Sequence, residues 1–161
     1  MEFIIVPGYD KADILKPLFL EYTDRLVAAD PSFAGYLAVQ NYDEELADLN
    51  AKYGPPQGGL FLALAEDGAP RGCIAMKKID KDSCEMKRLY VKEEYRHHGL
   101  GETLARHIIS HRREMGYKVM LLDTLPFLQP AIALYKKLGF TETGIYNNSP
   151  MDTSIFMKLE L

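Results

Sequence analysis

The sequence predicts an α/β fold in which a central mixed sheet carries helices on both faces. In the middle of the chain, three strand-like segments are separated by turn residues, over residues 60–65, 72–79 and 84–91. Helical and strand-like segments alternate afterwards, which is typical of βαβ units. Hairpins followed by this alternation indicate one sheet whose strands run in both directions.

The first third of the chain predicts one strand and two helices. Residues 2–6 form a short apolar run, and residues 13–28 carry apolar side chains near helical spacing. Pro17 fits that helix only if it lies in the first turn, where its missing N–H has no helical partner. A second helix is predicted over residues 43–52, and Gly54-Pro55-Pro56 ends it.

The second half of the sequence contains two predicted helices, each of which ends at a glycine. One covers residues 99–115 before Gly116, and the other covers residues 130–138 before Gly139. The remaining predicted elements are strands, over residues 118–123, 140–145 and 154–161. The resulting order is β-α-α-β-β-β-α-β-α-β, with the short 140–145 strand added before the last one.

Length and composition favour a single soluble domain over residues 1–161. A chain of 161 residues can bury a core without disulfides or a structural metal, and apolar runs such as 60–65 are too short to span a bilayer. The N-terminus lacks the features of a secretory signal, so a cytoplasmic location is expected. Cys73 and Cys84 lie at unequal distances from a turn over residues 80–83, which favours free thiols over a disulfide.

The charge distribution indicates a local anion site on an acidic protein. A net charge of −4 argues against a general nucleic-acid-binding role, because neutralising phosphates requires an excess of Lys and Arg. Acidic residues concentrate early, at Asp43, Glu44, Glu45 and Asp48. Basic residues crowd the middle of the chain, at Lys87, Arg88, Lys92, Arg96, His97, His98 and Arg106.

The hexapeptide Arg96-His97-His98-Gly99-Leu100-Gly101 lies between a predicted strand and a predicted helix. A helix start offers unpaired N–H groups, and glycines let a pyrophosphate approach the main chain. Arg96 would add a charge-assisted contact. The alternative is a glycine-containing helix start with a solvated basic face. A dinucleotide fingerprint is excluded because it needs a glycine where Leu104 stands.

Two blocks in this order resemble the GNAT superfamily of N-acetyltransferases, and in particular its small bacterial single-domain members. The family's acetyl-CoA signature, Arg/Gln-x-x-Gly-x-Gly/Ala, follows a strand end that is here Leu89-Tyr90-Val91. Residues 131–140 resemble the downstream block Ala-x-x-Leu-Tyr-x-Lys-x-Gly-Phe. The chain departs from the family at Leu128, where an asparagine is frequent, so asparagine-dependent pantetheine contacts are not carried over.

The resemblance implies acetyl-CoA as cosubstrate and assigns residues to it. The implied cofactor-binding residues are Leu89, Tyr90, Val91, Arg96, His97, His98, Gly99, Leu100, Gly101 and Thr103. Tyr135 is the implied acid that protonates the departing CoA thiolate, with packing against the sheet as the alternative. A backbone N–H near Leu89 or Tyr90 is the expected donor to the carbonyl oxygen.

Glu85 is the candidate general base. It lies early in the strand that leads to the cofactor loop, where family members often use a carboxylate directly or through a water. An ordinary ion pair with Lys87 or Arg88, or a role in orienting the substrate, is the alternative. His107 and His111 have a spacing that can bind metal, but no further ligands accompany them, so no metal is expected.

The expected activity is direct transfer of acetyl from acetyl-CoA to a primary amine of a small molecule, within a ternary complex. The acidic early helices would suit a cationic acceptor such as a polyamine, although surface acid is usually only solvated. Two alternatives stay open: a catalytically weak acyl-CoA-binding regulatory domain, and a protein N-terminal or lysine acetyltransferase. Family members commonly dimerise through terminal strands, so the resemblance also allows a homodimer.

Overall fold

A computed structural model describes residues 2–161 as a seven-stranded mixed sheet with six α-helices. The strands are β1 (Ile4–Pro7), β2 (Gly59–Leu64), β3 (Pro70–Lys78), β4 (Ser83–Val91), β5 (Val119–Thr124), β6 (Thr141–Glu142) and β7 (Ile155–Glu160). The helices are α1 (Ala12–Ala29), α2 (Phe33–Val39), α3 (Tyr42–Ala47), α4 (Leu49–Tyr53), α5 (Leu100–Glu114) and α6 (Gln129–Lys137). A 3₁₀ turn at Glu93–Tyr95 precedes α5.

The sheet has the strand order β1-β2-β3-β4-β5-β7-β6. All neighbouring strands are antiparallel except β4 and β5, which the α5 crossover makes parallel. Alternate residues of β2 enter two cores: Leu60 and Leu62 pack with α1, whereas Phe61 and Ala63 join the core that contains α5. The predicted mixed sheet with helices on both faces is confirmed.

The helical region before β2 differs from the prediction in two ways. The predicted helix over residues 43–52 is two helices, because Asp48 ends α3 and its carboxylate then accepts from the Ala51 N–H at 3.3 Å. A further helix, α2, precedes them and buries Phe33 and Tyr36. Its apolar repeat is only two turns long, which is too short to stand out by periodicity.

Pro17 lies in the second turn of α1, so the prediction of a first-turn position was wrong. The helix continues because only one backbone donor is lost there. The flanking side chains Leu15, Leu18 and Phe19 are almost fully buried against the sheet, and their packing holds the turn in place.

The prediction of free thiols is confirmed, since Cys73 and Cys84 are buried and unbonded. Cys73 lies opposite Tyr90 in the sheet and Cys84 opposite Lys78, so the two thiols never face each other. No helix within residues 2–161 has the length and apolar character that crossing a bilayer requires.

The sheet opens between β4 and β5. The two strands pair only where Ser83–Glu85 faces Val119–Leu121, and they diverge beyond that point. A β-bulge gives β4 one extra residue relative to β3, with Arg88 in the left-handed region at φ 59°. The bulge turns β4 away from its neighbour, and the gap that results organises the candidate site.

Candidate active site

Three cavities adjoin one another, and the central one lies in the gap between β4 and β5. A groove of about 500 Å³ lies beside the start of α5 and is here called the cofactor groove. A cavity of about 470 Å³ on the α2–α4 side is called the outer cavity. Between them, a central cavity shares Leu89, Leu128 and Tyr135 with the groove, and Tyr36, Gln40 and Lys87 with the outer cavity.

The cofactor groove contains most of the residues that the sequence assigned to acetyl-CoA. Eight of the ten line it: Leu89, Tyr90, Val91, Arg96, His97, Gly99, Leu100 and Gly101. His98 and Thr103 do not line the groove, and the Thr103 hydroxyl instead donates to the Gly99 carbonyl at 3.0 Å. The opposite wall comes from the start of α6, with Leu128, Pro130 and Leu134.

The start of α5 has the geometry of an anion site. Gly99 precedes the helix at φ 78°, a conformation that favours glycine, and no side chain caps the helix. The first N–H groups of α5 therefore have no partner within the helix. A Cβ added at Gly101 would make only ordinary contacts, at 3.8 Å to Leu134 and Val91. Packing within the chain does not demand a glycine at position 101, whereas a phosphate close to the main chain does.

The charged residues of the cofactor loop are solvent-exposed. The Arg96 guanidinium donates from Nε to the Val91 carbonyl at 3.0 Å, which leaves its terminal nitrogens available to a phosphate. Arg25 on α1 also lines the groove, and its Nη2 donates to the exposed Glu93 carboxylate at 3.1 Å. These cations and the uncapped helix start fit the pyrophosphate of acetyl-CoA.

Tyr135 lies where the cofactor groove meets the central cavity. Its side chain is buried and packs edge-on against Phe140, with ring centroids 5.8 Å apart. Burial, followed by the proximity of Tyr22 and Asp123, raises the pKa of Tyr135 well above its usual value. The hydroxyl therefore stays protonated at neutral pH and is available as a proton donor.

A polar triad lies at the central cavity: Tyr36 and Asp123 belong to its lining, and Asn147 lines the adjoining outer cavity. Tyr36 donates its hydroxyl to Asp123 Oδ2, and Asn147 Nδ2 donates to the same oxygen at 3.0 Å. Burial and the adjacent Asp123 raise the pKa of Tyr36, so the shared proton stays on the tyrosine. Asp123 is held in place by residues from α2 and from the segment before β7.

Glu85 lines the outer cavity and not the central one. It is 3% exposed, accepts from the Tyr146 hydroxyl at 2.5 Å, and lies 3.6 Å from Lys77 Nζ. The two sequence-predicted catalytic residues, Glu85 and Tyr135, therefore occupy different cavities joined by the central one. Asp123, in contrast, shares the central cavity with Tyr135.

A buried ion network supports the wall of the outer cavity. The Glu45 carboxylate accepts from Arg88 Nε and Nη2, each at 2.9 Å, and from Lys52 Nζ at 2.7 Å. Burial alone would raise the pKa of Glu45, but Arg88 and Lys52 outweigh it and hold that pKa at about 2. The bidentate geometry fixes Arg88, the residue at the bulge of β4.

His107 and His111 pack against Phe61 rather than in any of the three cavities. Their rings stack at 6.5 Å, and the Phe61 ring lies 4.6 Å from that of His107. His111 also contacts the buried Arg112 guanidinium through Nδ1. Within residues 2–161, no group of three side chains that could hold a metal ion is found.

Sequence reasoning missed several residues of the site. Gln40 and Lys52 had no recognisable motif, and Glu45 was assigned to a surface acidic cluster. Two further segments of the sequence, residues 122–124 with Asp123 and residues 146–150 with Asn147, resemble one bacterial branch of small-molecule GNAT enzymes, and this resemblance was the available sign of a functional role. Lys87 was noted only as part of the basic cluster and as a possible ion-pair partner of Glu85.

Comparisons with known proteins agree with this geometry. The model of the acetyltransferase (GNAT) family matches residues 20–140. An uncharacterized N-acetyltransferase of Schizosaccharomyces pombe is 44% identical over 126 residues, which cover 78% of this chain and 77% of the relative.

Solved structures share the fold. The PaiA N-acetyltransferase from Thermoplasma acidophilum, in complex with coenzyme A, has a TM-score of 0.75 at 18% identity, with 100% of both chains covered. A GNAT family acetyltransferase from Elizabethkingia anophelis with acetyl-CoA bound has a TM-score of 0.69 at 24% identity and covers 99% of this chain and 98% of its own. With most of its length matched by the family model and a close relative over three quarters of it, the chain belongs to the GNAT family and is an acetyl-CoA-dependent N-acetyltransferase.

Proposed function

We propose that residues 1–161 form one catalytic domain that acetylates the primary amine of a small molecule. The transfer is direct and takes place in a ternary complex, without an acyl-enzyme. The observation that carries this proposal is that the central cavity, in the gap between β4 and β5, shares lining residues with the cofactor groove on one side and with the outer cavity on the other. It lets a thioester from one side and an amine from the other meet in the central cavity.

The size of the outer cavity supports a small acceptor. Its volume of about 470 Å³ falls in the usual range for small-molecule sites, roughly 300–1,000 Å³. Short helices and residues 147–148 surround it, and the walls carry buried charges from Glu45 and Lys87. A compact polar molecule satisfies such walls better than an extended peptide does.

The acceptor amine must lose a proton before it attacks. An alkyl ammonium has a pKa of roughly 10, so only a small fraction is neutral at pH 7 and a base accelerates the reaction. We assign this role to Glu85, whose buried carboxylate lies in the outer cavity. The amine nitrogen then forms a bond to the acetyl carbon, and the carbon–sulfur bond breaks.

Tyr135 supplies the proton that the departing thiolate needs. Its protonated hydroxyl at the junction of the cofactor groove and the central cavity supports this assignment. A backbone N–H of β4 near Leu89 or Tyr90 is the proposed donor to the carbonyl oxygen. Strand β4 has no β5 partner beyond Glu85, which supports a free donor in this stretch.

Calorimetric titration with acetyl-CoA, followed by an amine screen, tests the proposal. The native protein should bind acetyl-CoA, and a variant with Gly99→Glu and Arg96→Ala should not, because the added carboxylate repels phosphate at the helix start. Thiol release should then be measured with a panel of small amines and with peptides bearing free N-termini. Turnover confined to peptides would contradict the small-molecule acceptor, and a lack of acetyl-CoA binding by the native protein would overturn the enzymatic assignment.

A cytoplasmic location is part of the proposal. Cys73 and Cys84 are both buried free thiols, and unpaired cysteines are common in reducing compartments. Fluorescence microscopy of the tagged full-length protein in its own cell would test this location.

A further inference from the structure

Lys87 is a buried cation in the acceptor site without a carboxylate partner. Its residue is only 8% exposed, and its ammonium donates to the neutral amide oxygen of Gln40. Within residues 2–161, Lys87 forms no ion pair. Burial and the adjacent Arg88 lower the pKa of Lys87 to about 7.

The carboxylates that surround Lys87 are engaged with other groups. Glu45 accepts from Arg88 and Lys52, Glu85 contacts Tyr146 and Lys77, and Asp123 accepts from Tyr36 and Asn147. Each side chain is fixed by its partners, so none can turn towards Lys87 without breaking a buried contact. The ammonium therefore remains available to an anion that enters from outside.

Lys87 lies where its positive charge can contact the acceptor. Lys87 lines both the outer and the central cavity, beside Glu85 in the first and Asp123 in the second. A positive group thus lies between two negative ones along the path of the acceptor. This alternation complements a molecule that carries both an ammonium and an anionic group.

We propose that the acceptor carries a carboxylate close to its amine, as an amino acid does, and that Lys87 binds that carboxylate. This inference rests on the proposed small-molecule function and specifies its substrate class. A single carboxylate charge matches the single charge of the Lys87 ammonium, which has no carboxylate partner among the described residues. Glu44 and Asp48 at the exposed side of the outer cavity disfavour a dianion such as a phosphate ester.

With such an acceptor, the reaction is the same acetyl transfer from acetyl-CoA to an amine as in the proposed function. The amine nitrogen of the carboxylate-bearing acceptor forms the new bond to the acetyl carbon, the carbon–sulfur bond breaks, and the amine proton is lost as the thiol gains one. The products are an N-acetyl amino acid and free CoA. Lys87 takes no proton from the substrate in this scheme, so it acts in binding and positioning.

Matched pairs of amines test the inference on the native protein. Initial rates of thiol release should be compared for each protein amino acid and its decarboxylated counterpart, for example phenylalanine with phenethylamine, lysine with cadaverine, and alanine with ethylamine. We expect the best amino acid to exceed its amine by about 10- to 100-fold in kcat/KM, the effect of one buried charge-assisted contact.

Two variants locate the effect at Lys87. Lys87→Met keeps the length of the side chain and removes the charge, so the KM of the amino acid should rise until the preference over the amine falls to about threefold or less. Lys78→Met on the neighbouring strand β3 is the matched control, because Lys78 is exposed and lies outside all three cavities. It should retain the full preference.

The outcomes separate this inference from the proposed function. Equal or better turnover of the decarboxylated amines, or a preference that survives Lys87→Met, overturns the carboxylate site and leaves the small-molecule activity standing. A protein that binds acetyl-CoA and acetylates neither series also overturns it. Absence of acetyl-CoA binding in the same preparation is a failure of the proposed function itself.

Discussion

The cofactor groove and the outer cavity are built in opposite ways. The groove takes half of its lining from one continuous stretch, residues 89–101, and its charged side chains are exposed. The outer cavity gathers residues from α2, α3, α4, β3, β4 and the segment before β7, and its central ions are buried. The first relies on the backbone N–H groups at the start of α5, together with exposed cations. The second depends on particular side chains that meet only in the folded protein.

The ion network at the outer cavity should give the largest effect on stability. Glu45→Gln keeps the shape of the side chain but leaves Arg88 buried and charged without a carboxylate. We expect a loss of about 3–5 kcal/mol in the free energy of unfolding at pH 7, measured by urea denaturation. Glu44→Gln on the same helix is exposed and should change that free energy by less than about 0.5 kcal/mol.

The same network predicts the direction of acid sensitivity. The pKa of Glu45 is about 2 in the folded protein, below its ordinary value of 4.5. Its contribution to stability is therefore complete above about pH 4.5 and is lost as the pH falls towards 2. Glu45→Gln should flatten this part of the stability profile. Equal slopes in the native and variant proteins would show that other carboxylates control acid unfolding.

The junction between the two regions should give the largest effect on turnover. Tyr135→Phe removes the proposed proton donor without emptying the space, so kcat should fall by about 100-fold. The Kd of acetyl-CoA, measured by calorimetry, should stay within about twofold. Tyr22→Phe is the matched control, since Tyr22 lines the same groove and central cavity. If both variants lose activity equally, packing explains the effect and the acid assignment is wrong.

The two carboxylates of the site, Glu85 and Asp123, can be tested separately as the base that takes the proton of the acceptor amine. Glu85 receives one hydrogen bond from Tyr146, whereas Asp123 Oδ2 already accepts two. Glu85→Gln should lower kcat/KM by about 10- to 100-fold and move the ascending limb of the pH–rate profile to higher pH. Asp123→Asn should leave the position of that limb unchanged. The reverse pattern would transfer the role of base to Asp123.

The contrast between the regions also explains how much the sequence could predict. The cofactor groove could be predicted from the sequence because contiguous residues form much of it. The motifs that predicted it are the hexapeptide before α5 and the block over residues 131–140. The burial of Glu45 depends on Arg88, which lies 43 residues away. In the sequence Glu45 is one of several acidic residues that solvent could satisfy. No local pattern in the sequence distinguishes Glu45 from Glu44. No local pattern predicts the contact of Tyr36 with Asp123 either, because these residues are also far apart in the sequence.

The smallest effect is expected for acetyl-CoA binding when His98 of the cofactor loop is replaced, although the sequence assigned His98 to cofactor binding. His98 is exposed and outside the cofactor groove, so only its backbone can contribute there. His98→Ala should change the Kd of acetyl-CoA by less than about twofold, whereas Arg96→Ala should weaken binding by about tenfold through a lost phosphate contact. A comparable loss in both variants would mean that imidazole as well as guanidinium contacts the phosphates. The groove would then depend on its side chains as strongly as the outer cavity does.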